Sequence, residues 1–159
     1  MVDIADILKV RKTRDLRLRR TLDAYTTEAS QLRQKREDAR RAMDEYSEEI
    51  KNLEVRLLED LLEKKISKAV IDNVYRELDR AAKHAANLSD RFEDLTKAVM
   101  AAEDNVDQAA RDVQFAVQKT ERLSEVKSEL LRRQKDAERV VEESQNEEIA
   151  EALYRVAGQ

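Results

Sequence analysis

The side chains of this sequence that can do chemistry are few in kind. His84 is the only histidine in 159 residues, and there is no cysteine. No thiolate nucleophile, disulfide framework or His/Cys metal set can therefore be assembled. Asp and Glu number 35, many at helical spacing. Carboxylates take on acid–base work only where a concave, water-poor pocket shifts their pKa. His84 lies in an Ala-rich stretch and reads as a helix-flank residue. Asn87-Leu-Ser89 matches a glycosylation triplet, which has no consequence in a chain expected in the cytoplasm. The expectation is no catalytic, cofactor or metal residue, and no enzyme.

The remaining chemistry is that of charge in blocks. Lys9, Arg11, Lys12, Arg14, Arg17, Arg19 and Arg20 put seven cations into twelve residues against one acid, Asp15. Far along the chain, Glu142, Glu143, Glu147, Glu148 and Glu151 follow one another with no base among them. Each block is either a solvated helical face, its ion pairs worth a few tenths of a kcal/mol, or a surface that seats in a charged socket. The net charge of −4 disfavours non-specific nucleic-acid binding by the chain as a whole. A basic stretch running into heptads resembles a bZIP protein, but the asparagine expected among the base-reading residues is missing. No nucleic-acid partner is expected.

The element that must carry these blocks is a long helix. Ala, Leu, Glu, Lys and Arg fill 88 of the 159 positions, with one Gly, no Pro and no Trp. That is a coiled-coil composition, without the turn residues of a sheet or a phosphate-binding loop. In alternating strides of four and three, positions 18 to 57 read Leu, Leu, Tyr, Ala, Leu, Arg, Ala, Met, Tyr, Ile, Leu, Leu. Eleven of the twelve are apolar, Arg36 being the exception. From Ile71 the same strides reach Leu123 with fifteen of sixteen slots apolar, Thr120 being the exception. A seven-residue repeat of this length implies a left-handed coiled coil.

Between the runs the stripe goes blank at Asp60, Lys64 and Ser67. Ser67 suits the N-cap of a new helix, and Leu61, Leu62 and Ile66 lie off the stripe, placed to fold over a tip. The reading is an all-α, antiparallel two-helix coiled-coil hairpin with a longer second helix. A single hairpin spans 1–159: helix one about 4–62, a turn about 63–67, helix two about 68–157. Asp3 and Asp6 suit the start of helix one and Gly158 the end of helix two. Pairing residues whose numbers sum to about 131 puts Tyr46 opposite Ala85, Ala39 opposite Phe92, Leu22 opposite Ala109 and Tyr25 opposite Val106. Large then meets small, which fills a seam without voids. The alternative is a continuous helix dimerised in parallel, a scaffold or bZIP-like binder.

The hairpin leaves residues 128–157 without an intramolecular partner, an overhang of roughly 45 Å at 1.5 Å per residue. It carries Leu130, Leu131, Ala137, Val140, Val141, Ile149, Ala152, Leu153, Tyr154 and Val156, which reads as either a frayed tail or a docking surface. The longest apolar run, Ala98–Ala102, is far too short to cross a membrane. The opening Met1-Val-Asp-Ile-Ala-Asp6 has no signal-peptide character. A cytoplasmic chain without stable membrane insertion, monomeric in isolation, is expected.

The layout resembles the YscO/FliJ group, central-stalk proteins of type III secretion systems and the flagellar export apparatus. Its carriers are the opening Ile4-Ala-Asp-Ile-Leu-Lys-Val10 running into Arg11-Lys-Thr-Arg-Asp-Leu-Arg-Leu-Arg-Arg20, then Ala42-Met-Asp-Glu-Tyr46 and a mid-chain break. Ala109-Ala-Arg-Asp-Val113, Ala116–Leu123 and a Glu-rich tail complete it. The resemblance implies a non-enzymatic hairpin similar to the rotor stalk of rotary ATPases. Its ends would sit in the pore of a hexameric secretion ATPase and couple it to the export gate and to secretion chaperones. The location would be cytoplasmic or peripheral at the inner-membrane apparatus. The residues placed to meet the ring are Arg11, Arg14, Arg17, Arg19 and Arg20, with Leu130, Val141, Ile149 and Leu153. A turn near 65 makes the second helix about 30 residues longer than the first, more lopsided than the family's layout.

Overall fold

The structure, a computed structural model, describes residues 3–63 and 65–158. It holds two helices, α1 (Ile4–Glu63) and α2 (Lys68–Ala157), antiparallel in a two-helix hairpin whose second helix is the longer. By helix–helix contact the chain divides into two compact units, Arg20–Ala110 and Met1–Arg19 with Arg111–Gln159. Sequence reading had a single hairpin. In a two-helix seam each layer touches only its neighbours, so contact groups locally.

In the unit Arg20–Ala110 the inward positions are those of the heptad stripe. Ala29, Ala39, Leu57, Ala81, Val99, Ala102 and Ala109 are buried. The larger stripe residues Leu22, Tyr25, Leu32, Met43, Tyr46, Ile50, Leu53, Leu78, Leu88, Phe92 and Val106 are half-buried. A seam one layer thick covers an alanine completely and a tyrosine only in part, so small residues form the dry centre and large ones straddle it. Arg36 is also half-buried, its aliphatic stem covering the seam while the charge reaches water.

Two contacts fix the direction, and the first of them fixes the register. The Tyr46 and His84 rings meet edge to face, centroids 4.4 Å apart at 79°. Arg33 Nε donates to Glu103 Oε1 at 2.8 Å. As the number rises on α1 its partner's falls on α2, so the two helices of this hairpin run in opposite directions. The pair 46 and 84 adds to 130, within one residue of the register read from the sequence. This intrachain pairing is that of a hairpin and not of one continuous helix.

The connection at the tip corrects smaller expectations. Ser67 caps α2 as the sequence implies: its carbonyl accepts from Val70 N and Ile71 N, both at 3.1 Å. Its Oγ accepts from Val70 N at 3.4 Å. This tightened first turn leaves Ile71 39% exposed and half-buries Val70 instead. Leu61 is half-buried, but Leu62 and Ile66 are exposed. The short connection brings one leucine over the tip, not three apolar residues. Lys64, a blank slot of the stripe, lies outside the described residues.

Exposed ion pairs lace the outer faces within single helices, among them Glu37–Arg40, Glu48–Lys51, Asp79–Lys83 and Glu93–Lys97. A hydrogen bond from Arg40 holds the Glu37 carboxyl below its usual range, against an opposing desolvation. The hydrogen bond from Lys97 does the same to Glu93, and in return the Lys97 ammonium is raised. Among the described residues, no helix is long and apolar enough to cross a membrane.

Candidate partner interface

The unit Met1–Arg19 with Arg111–Gln159 holds most of the residues singled out as partner-binding. Its base is a short two-helix seam. Asp3 starts α1, its Oδ1 accepting from Ala5 N at 3.4 Å and its carbonyl from Asp6 N and Ile7 N. Leu8 is buried, and Ile4, Arg11, Asp15 and Leu18 are half-buried. Opposite them Val113, Ala116, Val117 and Leu123 are half-buried and Thr120 is buried. The Thr120 hydroxyl donates to the Ala116 carbonyl at 3.1 Å, which lets a polar side chain occupy an inward slot without an unsatisfied group. Arg11 and Asp15 thus keep their seam positions although the stripe loses its apolar character there.

Where charged residues replace apolar ones, the seam opens into a shallow groove of about 290 Å³ lined by Arg11, Arg14, Asp15, Leu18, Asp112, Phe115, Ala116, Lys119 and Thr120. It falls just below the range of small-molecule pockets. Its walls mix three bases, two acids and one aromatic ring. Lys119 Nζ lies 4.2 Å over the exposed Phe115 ring, a cation–π contact worth about 0.5–1 kcal/mol at such a site. Arg11, Arg14 and Arg19 enter no ion pair among the described residues. On the outer face of α1, Val10 and Leu16 are exposed among the cations. The result is a charged surface with exposed apolar side chains among its cations.

From Ser128 to Gly158 every residue is exposed. Leu130, Val141, Ile149 and Leu153 are 46%, 55%, 58% and 65% accessible. An isolated helix of this length is marginal, but this one carries its own supports. Glu129–Arg133, Arg132–Asp136, Arg139–Asp136, Arg139–Glu143 and Glu151–Arg155 pair along it, each worth about 0.2–0.5 kcal/mol. Gln134 also donates to Glu138 at 3.1 Å. Gly158 follows Ala157, the last residue of α2, as the sequence implies. It has no positive φ, and its N–H continues the helical pattern to the Tyr154 carbonyl at 3.0 Å.

Of the nine residues named from the sequence, Arg11, Arg14, Arg17, Arg19, Leu130, Val141, Ile149 and Leu153 belong to this unit. Arg20, exposed, belongs to the other. The groove gathers Arg11 and Arg14, while Val141, Ile149 and Leu153 stand clear of any second helix. Sequence reasoning passed over Phe115, Lys119, Val10 and Leu16, because apolar residues off the heptad stripe carry no periodic signal. His84 lies in the other unit, exposed, against Tyr46. Among the described residues, no group of three or more His, Cys, Asp or Glu is arranged to hold a metal ion. Comparison of the chain with family models, curated proteins and solved structures gives no match.

Proposed function

We propose that this chain is a non-enzymatic stalk of a type III secretion export apparatus. It engages the pore of a hexameric secretion ATPase and couples the ring to the export gate and to secretion chaperones. The observation that carries the reading is the free stretch of α2, a helix with bulky apolar side chains exposed along its length, in the same unit as a dense cluster of arginines at the start of α1. A rod that only stiffened itself would need neither. The mechanism is mechanical: a ring whose subunits change shape in turn pushes on a stiff, asymmetrically charged rod. Arg11, Arg14, Arg17, Arg19 and Arg20 answer the acidic groups of the pore, and Leu130, Val141, Ile149 and Leu153 its apolar ones. The protein works in the cytoplasm, peripheral to the inner membrane.

The test is binding of the triple variant Arg14→Glu, Arg19→Glu, Arg20→Glu to the hexameric ATPase encoded nearby. These side chains are exposed, so helicity by circular dichroism should be unchanged while binding is lost. Undiminished binding by the folded variant would remove the arginines from the mechanism. Failure of the native chain to bind would remove the stalk reading itself.

A further inference from the structure

The free stretch of α2 carries a pattern that the seam of the hairpin does not. Leu130, Gln134, Ala137, Val141, Gln145, Ile149, Ala152 and Val156 follow one another in strides of four, three, four, four, four, three and four. The average stride, 26 residues in seven steps or about 3.7, lies slightly above the 3.6 of a straight α-helix, so these eight residues form one face that winds slowly in the right-handed sense. Six are apolar and the other two are glutamines. All are exposed. The order of strides reads the same in both directions.

We infer that this face docks a second copy of the same chain, laid antiparallel on it about a two-fold axis near residue 143. Positions whose numbers add to 286 then lie level. Leu130 meets the partner's Val156, Ala137 the partner's Ile149, Gln134 the partner's Ala152 and Val141 the partner's Gln145. Ala137 faces a large residue and Leu130 a smaller branched one, and the glutamines lie against aliphatic neighbours instead of one another. Each contact occurs twice, as an isologous interface requires. Beside the face, Leu131 comes within two residues of the level of the partner's Leu153.

Charge selects the antiparallel direction. Residues 127–139 hold five bases (Lys127, Arg132, Arg133, Lys135, Arg139) and three acids (Glu129, Asp136, Glu138), a net of +2. Residues 142–151 hold five acids and no base, a net of −5. Antiparallel docking sets residues 127–139 of each copy, net +2, level with residues 147–159 of the other, where Glu147, Glu148 and Glu151 outweigh Arg155 for a net of −2, while Glu142 and Glu143 fall at the axis. Parallel docking sets −5 against −5. On one flank Glu129 lies within two residues of the level of the partner's Arg155.

The interface is small. Side chains of this kind remove about 60–120 Å² each from water when fully buried. With twelve apolar side chains partly covered, plus the glutamines and flanks, the total comes to about 1,000 Å², the lower limit of a specific interface. The chain is therefore a monomer when dilute, and the face stays available to other partners. It pairs as its concentration rises.

Sedimentation equilibrium of the full chain over a wide concentration range tests this. The mass should climb from 18.5 kDa towards 2 × 18.5 = 37.0 kDa and stop there. Ile149→Glu and Ala137→Glu, both on exposed positions, should each raise the dissociation constant at least tenfold with unchanged helicity. A mass fixed at 18.5 kDa at every concentration, or unaffected association in both variants, overturns the proposal. Spin labels at Arg132 and Tyr154, away from the docking face, read the direction. Mixing copies labelled at Arg132 with copies labelled at Tyr154 should give a shorter distance than either single-label sample. Copies labelled at one site stand about 33 Å apart along the axis, from helical rise. The reverse order overturns it.

Discussion

Replacing Val99 by alanine probes the seam at its driest layer. Val99 is 1% exposed and is the largest side chain buried this completely among the described residues. The change removes two methylene equivalents, about 1.6 kcal/mol at 0.8 kcal/mol each, and the vacated space adds up to about 1 kcal/mol more. Alanine's better helix propensity returns about 0.5 kcal/mol. The same substitution at Val140, 61% exposed on the free stretch of α2, gains the same propensity and loses almost no burial. The difference between the two variants isolates the seam at about 2 kcal/mol. In a chain of this size that separates the melting temperatures by about 4–8 °C, read by circular dichroism at 222 nm. Equal melting temperatures would mean that Val99 does not sit between two helices, and the packing argument would fail.

Other outcomes follow from the same structure. Ser67→Ala should cost about 0.5–1 kcal/mol in urea denaturation, the low end of the capping range, since its side-chain hydrogen bond is long at 3.4 Å. Ending the chain after Lys127 should leave the melting temperature of the hairpin within about 2 °C, because everything beyond is exposed. The Glu93 carboxyl, lowered by its hydrogen bond from Lys97, should titrate below 4.5 by NMR and return to its ordinary value in Lys97→Met. The sign of that shift means the pair's small stabilisation is present above pH 4.5 and fades as pH falls through the lowered value.

The heptad stripe made the fold readable because burial in a two-helix seam depends on one periodicity alone. Ala29, Ala39, Leu57, Ala81, Val99, Ala102 and Ala109 all fall on it. The polar break at 60–67 with a capping serine was enough to place the tip, and the alternation of large and small residues set the register to within one position at Tyr46 and His84. Less visible were the details that depend on a single turn of backbone. The tightened start of α2 exchanged Ile71 for Val70, and Leu62 and Ile66 remained in water. The candidate interface was legible as charge blocks and as apolar residues without a partner. Phe115 and Lys119 were not, since a ring off the stripe shows its role only once Asp112, Arg11 and Arg14 are placed around it.

The return of α2 along α1 is tested most directly by the distance between spin labels at Arg33 and Glu103 in one doubly labelled chain diluted in unlabelled protein. These positions are joined at 2.8 Å across the two helices, so the labels should lie within about 20 Å of each other in every molecule. A distance near 105 Å, the length of the 70 intervening residues in one unbroken helix, would contradict the hairpin.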